Sequence, residues 1–194
     1  YQKDDSAPFW LLHRPRRFND RENIWMGFER KRGKLEELNA FLRRRSSGFS
    51  VSIGDFRHIE RIRFVITLDS DTHLLRDTAR QFIATLAHPL NRAVYDEKDQ
   101  IVARGYGILQ PRVASSLPGS HASIYERLNS GDAGIDPYTR TVSDVYQDLF
   151  GEGSFIGKGI YDVDAVSYAL NGRLPENRVL SHDLLEGCYY RSGL

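Results

Sequence analysis

The stretch Ile62 to Thr72 constrains this chain most. An apolar run (Phe64, Val65, Ile66, Leu68) stops abruptly at Asp69-Ser70-Asp71-Thr72. Phe, Val and Ile suit a pleated, buried strand, and so short an apolar run bounded by polar residues reads as an interior strand of an α/β sheet. In an extended chain, side chains two apart share a face, so Asp69 and Asp71 can aim their carboxylates at one point. Open α/β sheets take ligands just beyond the carboxyl ends of their strands. Two hard oxygen ligands there suit Mg²⁺ or Mn²⁺, which would in turn hold phosphate oxygens. The same residues also suit an N-cap or turn cluster before the next helix, where Asp and Ser are favoured.

Composition limits the class. A chain of 194 residues is about one domain, large enough for a core. Its net charge of +1 is unevenly spread: residues 1–63 carry 15 Lys/Arg against 9 Asp/Glu, and the remainder 12 against 17, from totals of 27 and 26. A basic half beside an acidic half fits anion recognition next to metal recognition, and equally a solvated surface. The basic residues of 1–63 lack interleaved aromatic stacking platforms, which argues against nucleic acid. One cysteine, Cys188, excludes an internal disulfide framework and a multi-cysteine zinc site, and points to a reducing compartment. No apolar run approaches the roughly 20 residues that span a bilayer, and no signal-peptide pattern is visible. The chain reads as soluble.

Along the chain, Phe9 to Leu12 predicts a short buried strand, followed by the basic turn His13 to Arg17. Arg21 to Phe28 has no clear period, and Trp25, Met26 and Phe28 read as loop anchors. Leu35, Leu38, Phe41 and Leu42 recur at helical spacing and predict an amphipathic helix over Lys34–Arg45. Glu29-Arg30-Lys31-Arg32-Gly33-Lys34 introduces it. A basic, glycine-containing turn at a helix start presents amide N–H groups and cations to a phosphate, or simply forms a solvated basic face. Ala79, Phe82, Ile83 and Leu86 predict a helix over Asp77–His88, stopped by Pro89. Tyr95 to Ala103 resembles a hairpin, and Gly105 to Pro111 a strand ended by proline. Val113 to Asp136 reads as a long loop with one helical turn near Ile124–Leu128. Helices follow over Thr139–Phe150 and Asp162–Leu170, the latter with Gly172 as its C-terminal cap.

Between those two helices lies Gly151 to Tyr161, with glycines at 151, 153, 157 and 159. Ile156 breaks the phosphate loop, the dinucleotide fingerprint and the nucleophile elbow alike. What remains is a flexible strand entry that lets a backbone or ligand come close. Further on, Ser181 can cap a helix with His182 and Asp183 in its first turn. A carboxylate there can take a proton from a nucleophilic hydroxyl or complement the helix dipole. Ser181-His182-Asp183 is no hydrolase triad, because adjacent residues cannot converge as a relay requires.

A basic turn before a helix, a strand ending in Asp-x-Asp, a glycine-rich strand and an acid at a late helix start occur here in one order. That order resembles the inverting, processive glycosyltransferases of the glycosyltransferase-A fold. Longer strings carry a closer resemblance: Gly131-Asp132-Ala133-Gly134-Ile135-Asp136-Pro137-Tyr138-Thr139-Arg140, Val142 through Phe155, and Leu180-Ser181-His182-Asp183-Leu184-Leu185-Glu186-Gly187. With these, almost the whole chain resembles the glycosyltransferase region of bacterial cyclic β-1,2-glucan synthases.

The resemblance implies a Rossmann-like mixed sheet flanked by helices, with residues 1–63 in the nucleotide-binding half and 64–194 in the acceptor half. It implies UDP-glucose as donor, a growing β-1,2-glucan as acceptor, and Mg²⁺ or Mn²⁺ as cofactor. Asp69 and Asp71 would hold the metal, Lys31, Arg32 and Lys34 would steady the nucleotide phosphates, and Asp183 would be the catalytic base. Gly153, Ser154 and His182 would belong to the donor and acceptor loop. Family members are large inner-membrane proteins with this region facing the cytoplasm. The family's earlier uridine-recognising aspartate strand and its later Gln-x-x-Arg-Trp motif are not found here, so a fragment of a larger, membrane-embedded polypeptide is expected, with little transfer activity alone. The rival readings are a non-catalytic sugar-nucleotide or glucan-binding module and a nucleotidyltransferase-like enzyme, which would release pyrophosphate.

Overall fold

In the computed structural model, which describes residues 9–70, 72–113, 123–129, 141–179 and 182–194, the chain forms two compact units. One unit comprises Tyr1–Arg63 with Leu170–His182, the other Phe64–Ala169 with Asp183–Leu194. The expected long loop over Val113–Asp136 and the string 131–140 fall largely outside the described residues.

The first unit is built from short strands and one helix: β1 (Leu11–His13), β2 (Arg17–Asn19), β3 (Ile24–Met26), α1 (Arg30–Leu42) and β4 (Val51–Ile53). β1 pairs antiparallel with β4, and β2 with β3. Two expectations are corrected here. β1 is not buried, since Phe9 is 82% and Leu11 58% exposed; a two-stranded ribbon has too few neighbours to cover both faces. Trp25 and Met26 anchor no loop but form β3, where Trp25 meets Phe18 across the hairpin at 5.8 Å. Each strand is three residues long, too short for period-2 alternation to register. The apolar centre lies around Leu42, Ile59 and an aromatic chain in which Phe41 contacts both Phe49 and Phe56.

α1 begins at Arg30, four residues earlier than its apolar period suggests. The basic residues therefore form its first turns, not a turn ahead of it. Straight-chain Arg and Lys are good helix formers, and Arg32 reaches back to Glu29 at 2.6 Å, which closes the helix start.

The second unit contains β5 (Phe64–Thr67), α2 (Thr78–Ala87), β6 (Val94–Asp96), β7 (Ile101–Arg104), β8 (Ile108–Leu109), α3 (Ile124–Asn129), α4 (Thr141–Phe150), β9 (Gly159–Asp162), α5 (Val163–Leu170), α6 (Asp183–Tyr190) and β10 (Ser192–Gly193). β6 and β7 form the expected hairpin. Its polar tip is held by Asp96, whose carboxylate accepts from the Lys98 and Asp99 amides. The main sheet runs β10-β8-β9-β5. β10 lies parallel to β8, and the β8–β9 and β9–β5 pairs are antiparallel, so the sheet is mixed.

The interior strands are β8 and β9, all of whose residues are buried. β5 lies at the edge of the described sheet, with β9 as its neighbour, and most of it is only half-buried. This corrects the reading of Phe64–Leu68 as an interior strand: apolar β-branched residues satisfy one covered face as well as two. Leu86 from α2, Leu109 from β8 and Ile160 from β9 form the core, with Phe64, Ile66, Phe82 and Tyr106 packed around it. Each such buried side chain contributes roughly 1.5–3 kcal/mol.

The turn from β9 into α5 is fixed by Asp162, whose Oδ1 accepts from the Asp164 and Ala165 amides at 3.0 and 3.2 Å. A cap of this kind is worth about 1 kcal/mol. Among the described residues, no helix is long and apolar enough to cross a membrane.

Candidate functional site

Both acids singled out in the second unit lie at element ends that its sheet positions. β5 ends at Thr67, and Asp69 follows two residues later. Asp183 is the first residue of α6. The glycine-rich strand entry 153–159 connects their surroundings.

Four contacts hold that entry in place. The Gly153 amide donates to Ser192 O at 2.7 Å. The Ile156 amide donates to Oε1 of Gln110, a side chain only 1% exposed, at 3.0 Å. The Thr67 hydroxyl donates to Gly157 O at 3.3 Å, and Thr67 is the register partner of Gly159. Lys158, between the two glycines, sets Nζ 3.0 Å from Asp69 Oδ2, with the two side chains 24% and 38% exposed.

Gly157 also faces Asp183. A Cβ built on Gly157 would stand 2.9 Å from each carboxylate oxygen of Asp183 and 3.0 Å from its Cγ. One three-residue segment thus touches both acids: Lys158 binds Asp69, and Gly157 abuts Asp183. Glu186 lies one turn along α6 from Asp183, buried, with a carboxylate oxygen within 4.8 Å of that of Asp183.

The expected site residues are distributed as follows. Asp71, the second acid of Asp-x-Asp, lies outside the described residues, as does Ser181. Gly153 and Ser154 lie on the strand entry, both half-buried, and His182 precedes α6 with 8% exposure. In the first unit, Lys34 is exposed and Lys31 half-buried. Arg32 points inward: its guanidinium is 8% exposed and pairs with Glu29, itself 4% exposed, and with Glu36 at 3.5 Å. Arg32 is thus held between two carboxylates.

Sequence reasoning gives Lys158 and Glu186 no role, and Gly157 only a share in a flexible strand entry. Lys158 carried a signal, as a lone cation inside a glycine-rich strand entry. Glu186 carried another, three residues after an acid at a helix start, the spacing that puts both on one face.

Hard carboxylate oxygen is the donor type that Mg²⁺ and Mn²⁺ select. Asp69 fits such an ion in kind: its carboxylate is partly open to solvent and already accepts one cation, the Lys158 ammonium. A carboxylate has about four lone-pair sites, so that contact leaves room for another.

Fold and site together define a mixed α/β protein with carboxylates gathered around a glycine-rich strand entry. No protein-family model matches the chain. Over its whole length it is 53% identical, across 196 aligned residues, to a region of Cyclic beta-(1,2)-glucan synthase NdvB of Rhizobium meliloti (strain 1021). The chain spans 7% of the length of that protein. The resemblance read from the long strings around Asp136, Phe150 and Asp183 is borne out.

Proposed function

We propose that this chain is part of the catalytic region of an inverting glucosyltransferase that moves glucose from UDP-glucose to a growing β-1,2-glucan. The observation that carries the reading is the strand entry 157–159, which touches Asp69 through Lys158 and Asp183 through Gly157. Its similarity to a region of a cyclic β-(1,2)-glucan synthase supports the substrate class. A glycosyltransferase-A-like fold is part of the same proposal, supported by the mixed sheet with an acid just beyond the end of β5.

In this reading an acceptor hydroxyl attacks the anomeric carbon of the donor from the face opposite UDP. The new glycosidic C–O bond forms as the bond to the UDP oxygen breaks, and inversion turns an α-donor into a β-product. Asp183 takes the hydroxyl proton during attack, a contribution of about 10²–10⁴-fold for a well-placed base. Gly153, Ser154 and His182 belong to the surface that receives donor and acceptor. Lys31 and Lys34 steady the nucleotide phosphates as point charges.

Asp69, with Asp71, would hold Mg²⁺ or Mn²⁺. When bound, such an ion neutralises charge on the departing diphosphate. The protein's place is the cytoplasmic face of the bacterial inner membrane, as part of a larger membrane-embedded polypeptide.

Leaving-group analysis tests the reaction type. The full-length protein, given glucose-labelled UDP-glucose and Mn²⁺, should release UDP as label enters glucan. In a parallel reaction with added pyrophosphate, its consumption to give UTP and glucose 1-phosphate would make the protein a nucleotidyltransferase; tight UDP binding without any turnover would make it a binding module.

A further inference from the structure

The glycine-rich entry 151–159 fits no nucleotide motif, yet one of its glycines has a stringent local requirement. Gly157 adopts φ +86, a conformation that L side chains rarely take. The space beside its Cα is filled by the Asp183 carboxylate, 2.9 Å from where a Cβ would stand. The two oxygens are equidistant from that point, so turning the carboxylate about Cβ–Cγ would not relieve the clash. A side chain at 157 would have to displace the whole group. Gly157 is also tied to β5, since its carbonyl accepts from the Thr67 hydroxyl and Thr67 pairs in register with Gly159, two residues further on.

From this we propose that Gly157 is a positioning residue. It is the stop against which the Asp183 carboxylate rests, and it fixes that acid relative to the end of β5 and Asp69. The inference rests on the proposed role of Asp183 as base, and gives the glycine a task distinct from allowing a tight turn. A base misplaced by about 1 Å can lose on the order of 100-fold in rate, whereas donor binding through other residues is untouched.

The test uses the full-length protein, with glucose transfer and UDP binding measured side by side. Gly157→Ala should lower kcat by about 100-fold, with the KM for UDP-glucose and the Kd for UDP unchanged within about twofold. Gly172→Ala is the control for backbone strain alone, because Gly172 has φ +72 but nothing within 4 Å of a built Cβ; it should leave kcat unaltered. Thr67→Val, which keeps shape and removes the hydroxyl bound to Gly157 O, should lower kcat several-fold with unchanged KM. Thr67→Ser should restore it, which keeps the test open if Gly157→Ala does not fold.

A folded Gly157→Ala variant with normal kcat would overturn the proposal. So would equal losses in UDP binding and kcat, or a silent Thr67→Val. Asp183→Asn separates the two levels. If it transfers glucose normally, the assignment of the base fails; if it is inactive while Gly157→Ala is normal, only the positioning role fails.

Discussion

Lys158 Nζ stands 3.0 Å from Asp69 Oδ2, in a pair whose side chains are 24% and 38% exposed. The ammonium therefore shares the carboxylate proposed to bind a divalent ion, and removing it should free that oxygen. Lys158→Met is expected to tighten Mn²⁺ binding several-fold when the metal alone is titrated and followed by electron paramagnetic resonance. Unchanged or weaker binding would contradict the shared-carboxylate arrangement. Stability should scarcely respond, because partly exposed ion pairs contribute only about 0–1 kcal/mol.

Arg32 and Glu29 behave differently, since both are nearly excluded from water and 2.6 Å apart. Deleting one partner of a buried pair leaves an uncompensated charge, at a cost of about 3–5 kcal/mol. Arg32→Met should lower the urea midpoint accordingly, while Lys34→Met should leave it in place and weaken UDP binding instead. An Arg32→Met variant as stable as the parent would show that its cation is exposed in solution.

The core of the second unit is tested at α2. Leu86 is 2% exposed and packs on Leu109 and Ile160, whereas Ile83, three residues earlier, is 46% exposed. Leu86→Ala should destabilise by about 2–5 kcal/mol, and Ile83→Ala by well under half of that. Equal effects in thermal unfolding would mean that α2 presents another face to the sheet.

The side chain of Arg57 hydrogen-bonds the Asp55 carboxylate through Nε and Nη2, and this holds its pKa at about 2, below the usual 3.8. A lowered folded-state value means that the stabilisation is fully present above pH 3.8 and is lost as pH falls through about 2. Arg57→Ala should return the Asp55 titration, followed by carboxyl-carbon NMR, toward the ordinary carboxylate range. A midpoint that stays near 2 in the variant would assign the shift to another group.

Much of this arrangement is legible in the sequence where one physical signal dominates. The period of Ala79, Phe82 and Leu86 places α2 over Thr78–Ala87, and Pro89 ends it as expected. The polar tip between Tyr95 and Ala103 marks the β6–β7 hairpin. β2 and β3 escape notice because three-residue strands carry no period and their apolar rings stay exposed. The inward turn of Arg32 is equally hidden, since a basic run does not say which of its members faces Glu29. The closeness of Gly157 to Asp183 joins residues 26 positions apart, and local patterns hold no trace of it. Even so, failure to fit any nucleotide motif was a pointer, because four glycines in nine residues need some other reason.

The role of Asp183 is tested most directly by Asp183→Asn in the full-length protein, assayed for glucose transfer from labelled UDP-glucose and for UDP affinity in the same preparation. Loss of the base should reduce transfer by about 10²–10⁴-fold while UDP binds as before. Transfer at the parent rate would remove Asp183 from the chemistry and contradict the proposed mechanism.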